Sequence, residues 1–240
     1  MSTGREVFQV EIRARDLARS IRFYGAVFAW KIYQSAPGYA LVDTGRLPVV
    51  GILHDPRLPL GVCNNVLVED CQATADRAVA LGGSVCLARS EVPGSGAYIG
   101  TLDPWGNELF LWQPYTDGRP HLEAAPDNPI VFLEIVTPDR RAATTYYKKL
   151  VGWSFKGVSF AEAYAIAKGC GLARGIGLYT SAGGHGTTNY VQVASLAETV
   201  ARVDAAGGKV LAPPAAFPGG GRYVLFQDPD GNRIGALEPT

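Results

Sequence analysis

VEIRARDLARSIRFYGAVFAW (residues 10–30) and LEIVTPDRRAATTYYKKLVGW (133–153) are the same stretch written twice. Glu11 meets Glu134, Asp16 meets Asp139, Tyr24 meets Tyr147 and Trp30 meets Trp153, each pair 123 positions apart. Further on, LGGSV (81–85) answers AGGKV (206–210), PGSGAY (93–98) answers PGGGRY (218–223), and DPWGN (103–107) answers DPDGN (228–232), now at 125 positions. One register kept across separated motifs marks an internal duplication, and a duplication governs the reading of everything else. The second copy carries two extra residues between Trp153 and about Asn189.

Within a copy the periods are legible. Residues 7–13 alternate as a half-buried strand does. Asp16 stands where a helix N-cap belongs, its carboxylate placed to accept from unpaired first-turn amides. Leu17, Ile21, Tyr24 and Phe28 then recur at spacings of three and four, one apolar stripe of a helix over 16–28. A strand-rich stretch runs from Gly38 to Leu53. A strand over 62–68 follows, then a helix over about 72–81 stopped by Gly82-Gly83, and a hairpin around Asp103–Asn107. The second copy repeats the series as 130–136, 139–151, 160–179, 188–193, 196–206 and 209–237. This divides the chain into a first module (1–115), a Pro- and charge-rich linker (116–128) and a second module (129–240).

Bulk properties exclude several classes of function. Of 240 residues, 22 are basic and 22 acidic, so neither nucleic acid nor an anionic membrane is expected as partner. No window nears the roughly 20 apolar residues of a membrane span, and the polar start MSTGREVFQV argues against a signal peptide. Cys63, Cys71, Cys86 and Cys170 show no C-x-x-C pairing and read as reduced thiols, so a cytoplasmic protein is expected. The internal duplication suits a monomer that is its own pseudo-dimer, or a homodimer.

The run D-L-x-x-S-x-x-F-Y (Asp16 to Tyr24) after a strand, with D-P-x-G-N closing each copy, resembles the vicinal-oxygen-chelate superfamily of glyoxalases, bleomycin-resistance proteins and extradiol dioxygenases. D-P-x-G-N alone is turn chemistry; its pairing with the helix motif, twice, carries the likeness. The resemblance implies an α+β fold of two tandem βαβββ modules, their curved mixed sheets each enclosing a concave pocket. It also implies, in many members, a divalent metal held by His and Glu from the first strand, the strand opening the second half, and the last strand. Here those positions fall on Gln9 and Phe132, on Asn65 (or Cys63) and Tyr190 (or Thr188), and on Phe110 and Gly235. Phenylalanine and glycine side chains offer a metal nothing, and a lone amide is a poor site. His54, His121 and His185 lie in predicted loops away from these positions. No metal and no other cofactor is therefore expected.

Glu11 and Glu134 lie two residues past the first-strand position and share its face. A carboxylate in a concave apolar site can serve as acid or base. The structural alternative is that each accepts hydrogen bonds and fixes the fold, and its duplication favours that alternative. Glu134 is the better catalytic candidate of the two, since Tyr190, Gln192 and Arg222 belong to its copy, with Glu11 and Tyr190 completing the catalytic set. Gln9, Asn65, Phe110, Trp112, Phe132, Gln192 and Arg222 are the candidate substrate contacts. Phe110, Trp112, Phe132 and Trp153 suit an aromatic ligand, or are simply core. The loops 54–61 and 181–187 are candidate rims. PGSGAY and PGGGRY lack G-K-[ST] and a following helix, so they are no phosphate loops. Three functions fit. The first is a metal-independent enzyme, lyase- or isomerase-like, acting on a small aromatic or polyketide-like molecule. The second is a protein that binds or sequesters such a molecule, and the third a metal-dependent lyase, isomerase or dioxygenase with other ligands.

Overall fold

A computed structural model describes residues 5–42, 47–115, 128–158, 161–217 and 220–240. Most of the linker, including His121, lies outside the described residues. The strands fall into two mixed sheets of eight and nine among the described residues, and each copy resolves into two βαβββ motifs. The first motif is β1 (Val7–Arg13), α1 (Leu17–Phe28), β2 (Ile32–Ala36), β3 (Tyr39–Val42) and β4 (Val49–Leu53). The second is β5 (Gly61–Leu67), α2 (Cys71–Ala80), β6 (Ser84–Val92), β7 (Gly96–Leu102) and β8 (Glu108–Pro114). The third is β9 (Ile130–Thr137), α3 (Arg140–Val151), β10 (Phe155–Val158), β11 (Ala161–Ala167) and β12 (Gly175–Thr180). The fourth is β13 (Gly186–Gln192), α4 (Leu196–Ala205), β14 (Lys209–Val210), β15 (Ala215–Ala216), β16 (Arg222–Gln227) and β17 (Arg233–Glu238). Both β14 and β15 pair with β16, because Pro213 and Pro214 interrupt what in the second motif is the single strand β6.

In every motif the first and last strands pair in parallel and the others antiparallel. The expected caps are in place. The Asp16 carboxylate accepts from the Arg19 amide, and that of Asp139 accepts from Arg141 and Ala142. Asp70 and Ser195 cap the remaining helices in the same way.

The chain condenses into two compact units, and each draws on both copies. The one we call outer, from its place in the sequence, takes in the described residues of 9–62, 128–131 and 188–240, and so most of the first and fourth motifs. The inner unit takes in the described residues of 5–8, 63–115 and 132–187, most of the second and third. In the outer unit α1 packs on β3, β4 and α4; of the stripe read from the sequence Tyr24 and Phe28 enter the core with Phe23, Trp30 and Phe226, while Leu17 and Ile21 stay half-buried at its edge. In the inner unit α2 packs on β6, β7, β8 and α3.

The two signature motifs clasp each other across the copies. In the outer unit Tyr24, from the first helix, donates its hydroxyl to Asp228 Oδ2 of the second D-P-x-G-N at 2.8 Å. In the inner unit Tyr147, from the third helix, donates to Asp103 Oδ2 of the first, also at 2.8 Å. Each aspartate also accepts from the turn's own amides and its asparagine side chain. Each asparagine then donates to a strand-end carbonyl, Asn107 to Val136 and Asn232 to Arg13. The tryptophans repeat the exchange. Trp30 Nε1 donates to the Asn128 carbonyl and Trp153 Nε1 to that of Arg5, each at 2.8 Å. Trp153 is thus a core residue stacked on Tyr147 rather than a ligand contact. Burial, then the neighbouring aspartate, raises the phenol pKa of Tyr24 and Tyr147 well above 10. Burial raises the Asp228 carboxyl against the pull of its hydrogen bonds.

Candidate functional site

Strand alternation settles which side chains face the helices and which face away. On β1, Val10 and Ile12 are buried with Val50, Ile52, Ala40 and Val42 on the α1 side. Gln9, Glu11 and Arg13 therefore share the opposite face. The register beside them (Gln9↔Val49, Glu11↔Gly51, Arg13↔Leu53) adds β4, and β3 brings Tyr39 and Leu41. On this face Gln9, Glu11, Tyr39, Leu41 and Leu53 are only half-buried. Gln9 donates its side-chain amide to the Tyr39 hydroxyl. Arg13, 4% exposed, reaches the Pro59 carbonyl at 3.4 Å, so loop 54–60 closes that end. His54 Nδ1 meets the Ala14 carbonyl at 3.0 Å, and Asp55 is bound by Arg57. The hydrogen bonds from Arg57 lower the Asp55 carboxyl to about 2.

In the inner unit the corresponding face of the third motif is filled. Phe132 is fully buried and Glu134 is 8% exposed between Phe132 and Val136 in the strand's alternation. Gly177, the register partner of Glu134, lies under two rings. A Cβ there would meet Phe132 Cζ at 2.5 Å and Tyr164 Cε1 at 2.6 Å. Tyr164 continues the buried cover, and Tyr179, 38% exposed, stands at its edge with its ring centroid 5.4 Å from that of Tyr164.

The remaining candidates divide the same way. In the inner unit Asn65 pairs directly with Phe110, and Phe110, Tyr98, Trp112 and Phe8 form a stacked ladder at 5.8–6.3 Å. In the outer unit Tyr190 pairs with Gly235, lays its ring over it, and meets Phe217 and Tyr223 edge-on. Gln192 is half-buried opposite Leu237, and Arg222 is exposed opposite Glu238. Of the grouping expected around Glu134, Glu134 lies on β9, Tyr190 and Gln192 lie on β13, which neighbours β9 in the sheet, and Arg222 lies on β16, beyond β17. Sequence reasoning missed Tyr39, Arg13 and Gly51. Alternation from Gln9 would have found Arg13, and the repeat pairs Tyr39 with Tyr164.

Asn65 pairs directly with Phe110 and Tyr190 with Gly235, and Cys63 and Thr188 lie two residues along on the same faces. Of the six positions, Phe132, Phe110 and Gly235 carry no donor atom; Gln9 and Asn65 are neutral amides and Tyr190 is a phenol. Among the described residues no three His, Cys, Asp or Glu side chains gather as a ligand set. These donors do not fit the superfamily's divalent ion.

Comparison with known proteins places each half separately. Residues 9–112 match the family described as "Glyoxalase-like domain", and 129–235 match "Glyoxalase/Bleomycin resistance protein/Dioxygenase superfamily". A Mycobacterium tuberculosis protein named "Putative glyoxylase CFP32" is 27% identical over 96% of this chain and 94% of its own. Among solved structures, the 2,3-dioxygenase LapB from Pseudomonas sp. KL28 superposes with a TM-score of 0.67 at 14% identity, covering 97% of this chain and 91% of that one. The Mn(II)-bound glyoxalase from Novosphingobium aromaticivorans gives 0.64 at 13% identity, covering 98% and 82%. These likenesses extend over the whole tandem, as the duplicated helix and D-P-x-G-N motifs require. The chain belongs to the glyoxalase, bleomycin resistance and dioxygenase superfamily, as a tandem member with two family domains.

Proposed function

We propose that this glyoxalase-like protein takes a small, aromatic or polyketide-like molecule on the half-buried face of the first motif and acts on it without a metal. One observation carries the reading. At the first-strand position the third motif has a fully buried ring, whereas the first motif has Gln9, hydrogen-bonded to Tyr39 and only half-buried beside Glu11. The apolar residues Leu41, Val49 and Leu53 suit a planar carbon skeleton. Gln9 and Tyr39 supply hydrogen-bond donors for an oxygen on which charge develops. Arg13 adds a fixed positive charge at the end of the strip. Glu11 is the acid/base, taking a proton from a carbon or hydroxyl next to a ligand carbonyl and returning it at a neighbouring atom, as an isomerase or lyase does. Glu134, buried on the filled face, belongs on this reading to the scaffold.

The test is ligand capture from cell extract by native mass spectrometry, followed by turnover of the captured molecule. Glu11→Gln is expected to retain the ligand and lose about 10²–10⁴-fold in rate. Glu134→Gln is expected to lower the melting temperature and leave the rate unchanged. The opposite result moves the chemistry to the third motif. Capture without turnover by the wild type makes the protein a binder, the role expected of a bleomycin-resistance-like relative.

A further inference from the structure

We infer that Gly51 is a specificity-determining residue of this face, because it is the space that lets Tyr39 lie across β4 and seat its hydroxyl on Gln9. The inference deepens the proposed site and rests on it. A Cβ built on Gly51 would meet the Tyr39 hydroxyl, Tyr39 Cζ at 2.9 Å and Gln9 Nε2 at 2.8 Å. Real Cβ atoms do not tolerate such contacts, so any side chain at 51 must push the pair aside. What would be displaced is the far end of two flexible side chains on a half-buried face, which can move at little cost to the fold. The strands hold the geometry firmly. Gly51 pairs with Glu11 on one side and Leu41 on the other, so its missing side chain points into the same strip as the acid/base candidate.

Gly177 supplies the internal comparison. It occupies the matching place on β12, beneath Phe132 and Tyr164, but those rings are buried and have nowhere to go. The same substitution therefore separates the two faces. At Gly51 it disturbs a polar pair on a half-buried face; at Gly177 it meets the buried rings of Phe132 and Tyr164. The occupant that a hydroxyl and an amide at fixed separation would select is a planar ligand carrying a carbonyl or phenolic oxygen.

The experiment uses the full chain, labelled with [¹³Cζ]tyrosine, with 4-nitrocatechol as the aromatic probe. In Gly51→Ala the Tyr39 Cζ resonance, assigned with Tyr39→Phe, and the Gln9 side-chain amide resonances are expected to move. Probe affinity is expected to fall about tenfold or more, as misplaced contacts do. In the Tyr39→Phe background, Gly51→Ala should weaken the probe by much less than it does in the wild type, since the residue acts through the hydroxyl. Gly177→Ala should lower the melting temperature and leave probe affinity and the Gln9 amide resonances in place. Unmoved resonances in Gly51→Ala, or an equal loss of affinity in both backgrounds, overturn the role of Gly51. A wild-type protein that does not bind 4-nitrocatechol overturns the ligand site itself, and the two failures are read separately.

Discussion

The faces of the first and third motifs descend from one sequence and have parted in a single respect, what stands at the first-strand position and beyond it. In the first motif it is Gln9, with Glu11, Arg13 and Tyr39, half-buried apart from Arg13; in the third it is Phe132, with Glu134, Val136 and Tyr164, all buried. Each keeps its glutamate, its tyrosine and the glycine beneath. On the proposed reading, duplication frees one copy from a function that the other keeps. The freed face can then be filled with rings, which stabilise by burial, while the other keeps polar groups that contribute little to stability and much to recognition.

Denaturant unfolding gives the sharpest test of that contrast. Phe132→Ala is expected to cost about 3–5 kcal/mol, as truncation of a fully buried ring does. Gln9→Ala should cost less than about 1 kcal/mol, as substitutions outside the core do. Equal losses would mean that both faces are core, and the proposed site would fall with the comparison.

Next in size are the crossed clasps. Tyr24→Phe and Tyr147→Phe should each cost roughly 1–3 kcal/mol, since each leaves a turn carboxylate short of a partner. Both phenols are held neutral in the folded state, with pKa raised above the ordinary 10 by burial and by the adjacent aspartate. Their contribution is thus fully present below pH 10 and is lost as pH rises above it, where the unfolded chain sheds protons that the folded one keeps. Melting temperature should fall above pH 10 in the wild type and fall less steeply in the double variant. An unaltered slope would show that the phenols do not carry the effect. Asp228 has the same sign at the acid end. Its raised pKa gives a contribution present below 3.8 and lost as pH rises through the folded value.

Tyr39→Phe is expected to cost only about 0.5–1.5 kcal/mol, one hydrogen bond on a half-buried face, while weakening the aromatic probe. Loss of stability without loss of affinity would assign the Gln9–Tyr39 pair to the scaffold. The smallest effect belongs to loop 54–60. Arg57→Ala should let the Asp55 carboxyl rise from about 2 toward 3.8, read by carbon-detected NMR titration. An exposed pair of this kind should shift the melting temperature by less than about 1 °C. A larger shift would show that the loop braces the face through the Pro59 carbonyl and Arg13.

Much of the fold was legible because its signals are local. The N-caps at Asp16 and Asp139, the stripe Leu17–Ile21–Tyr24–Phe28 and the hairpin around Asp103–Asn107 each depend on neighbours a few residues away. The site was legible only in part. Alternation placed Glu11 beside Gln9 and Glu134 beside Phe132, but Tyr39 comes from another strand and enters the face through the pairing of β3 with β4. Grouping Glu134 with Tyr190, Gln192 and Arg222 followed membership of one copy; that β13 lies next to β9, with β16 two strands further out, is a matter of sheet order, which no local pattern gives.

The sequence alone determined that there are two copies and where their helices and most of their strands lie, and it put amides, rings and a glycine at the positions where the family resemblance implies a metal. Only the tertiary structure decided that Tyr24 clasps Asp228 and Tyr147 clasps Asp103. In a duplicated chain each signature tyrosine has two chemically equivalent aspartates to choose between, and no local pattern distinguishes them. The choice is made by which strands and helices pack together, and that is a property of the whole chain.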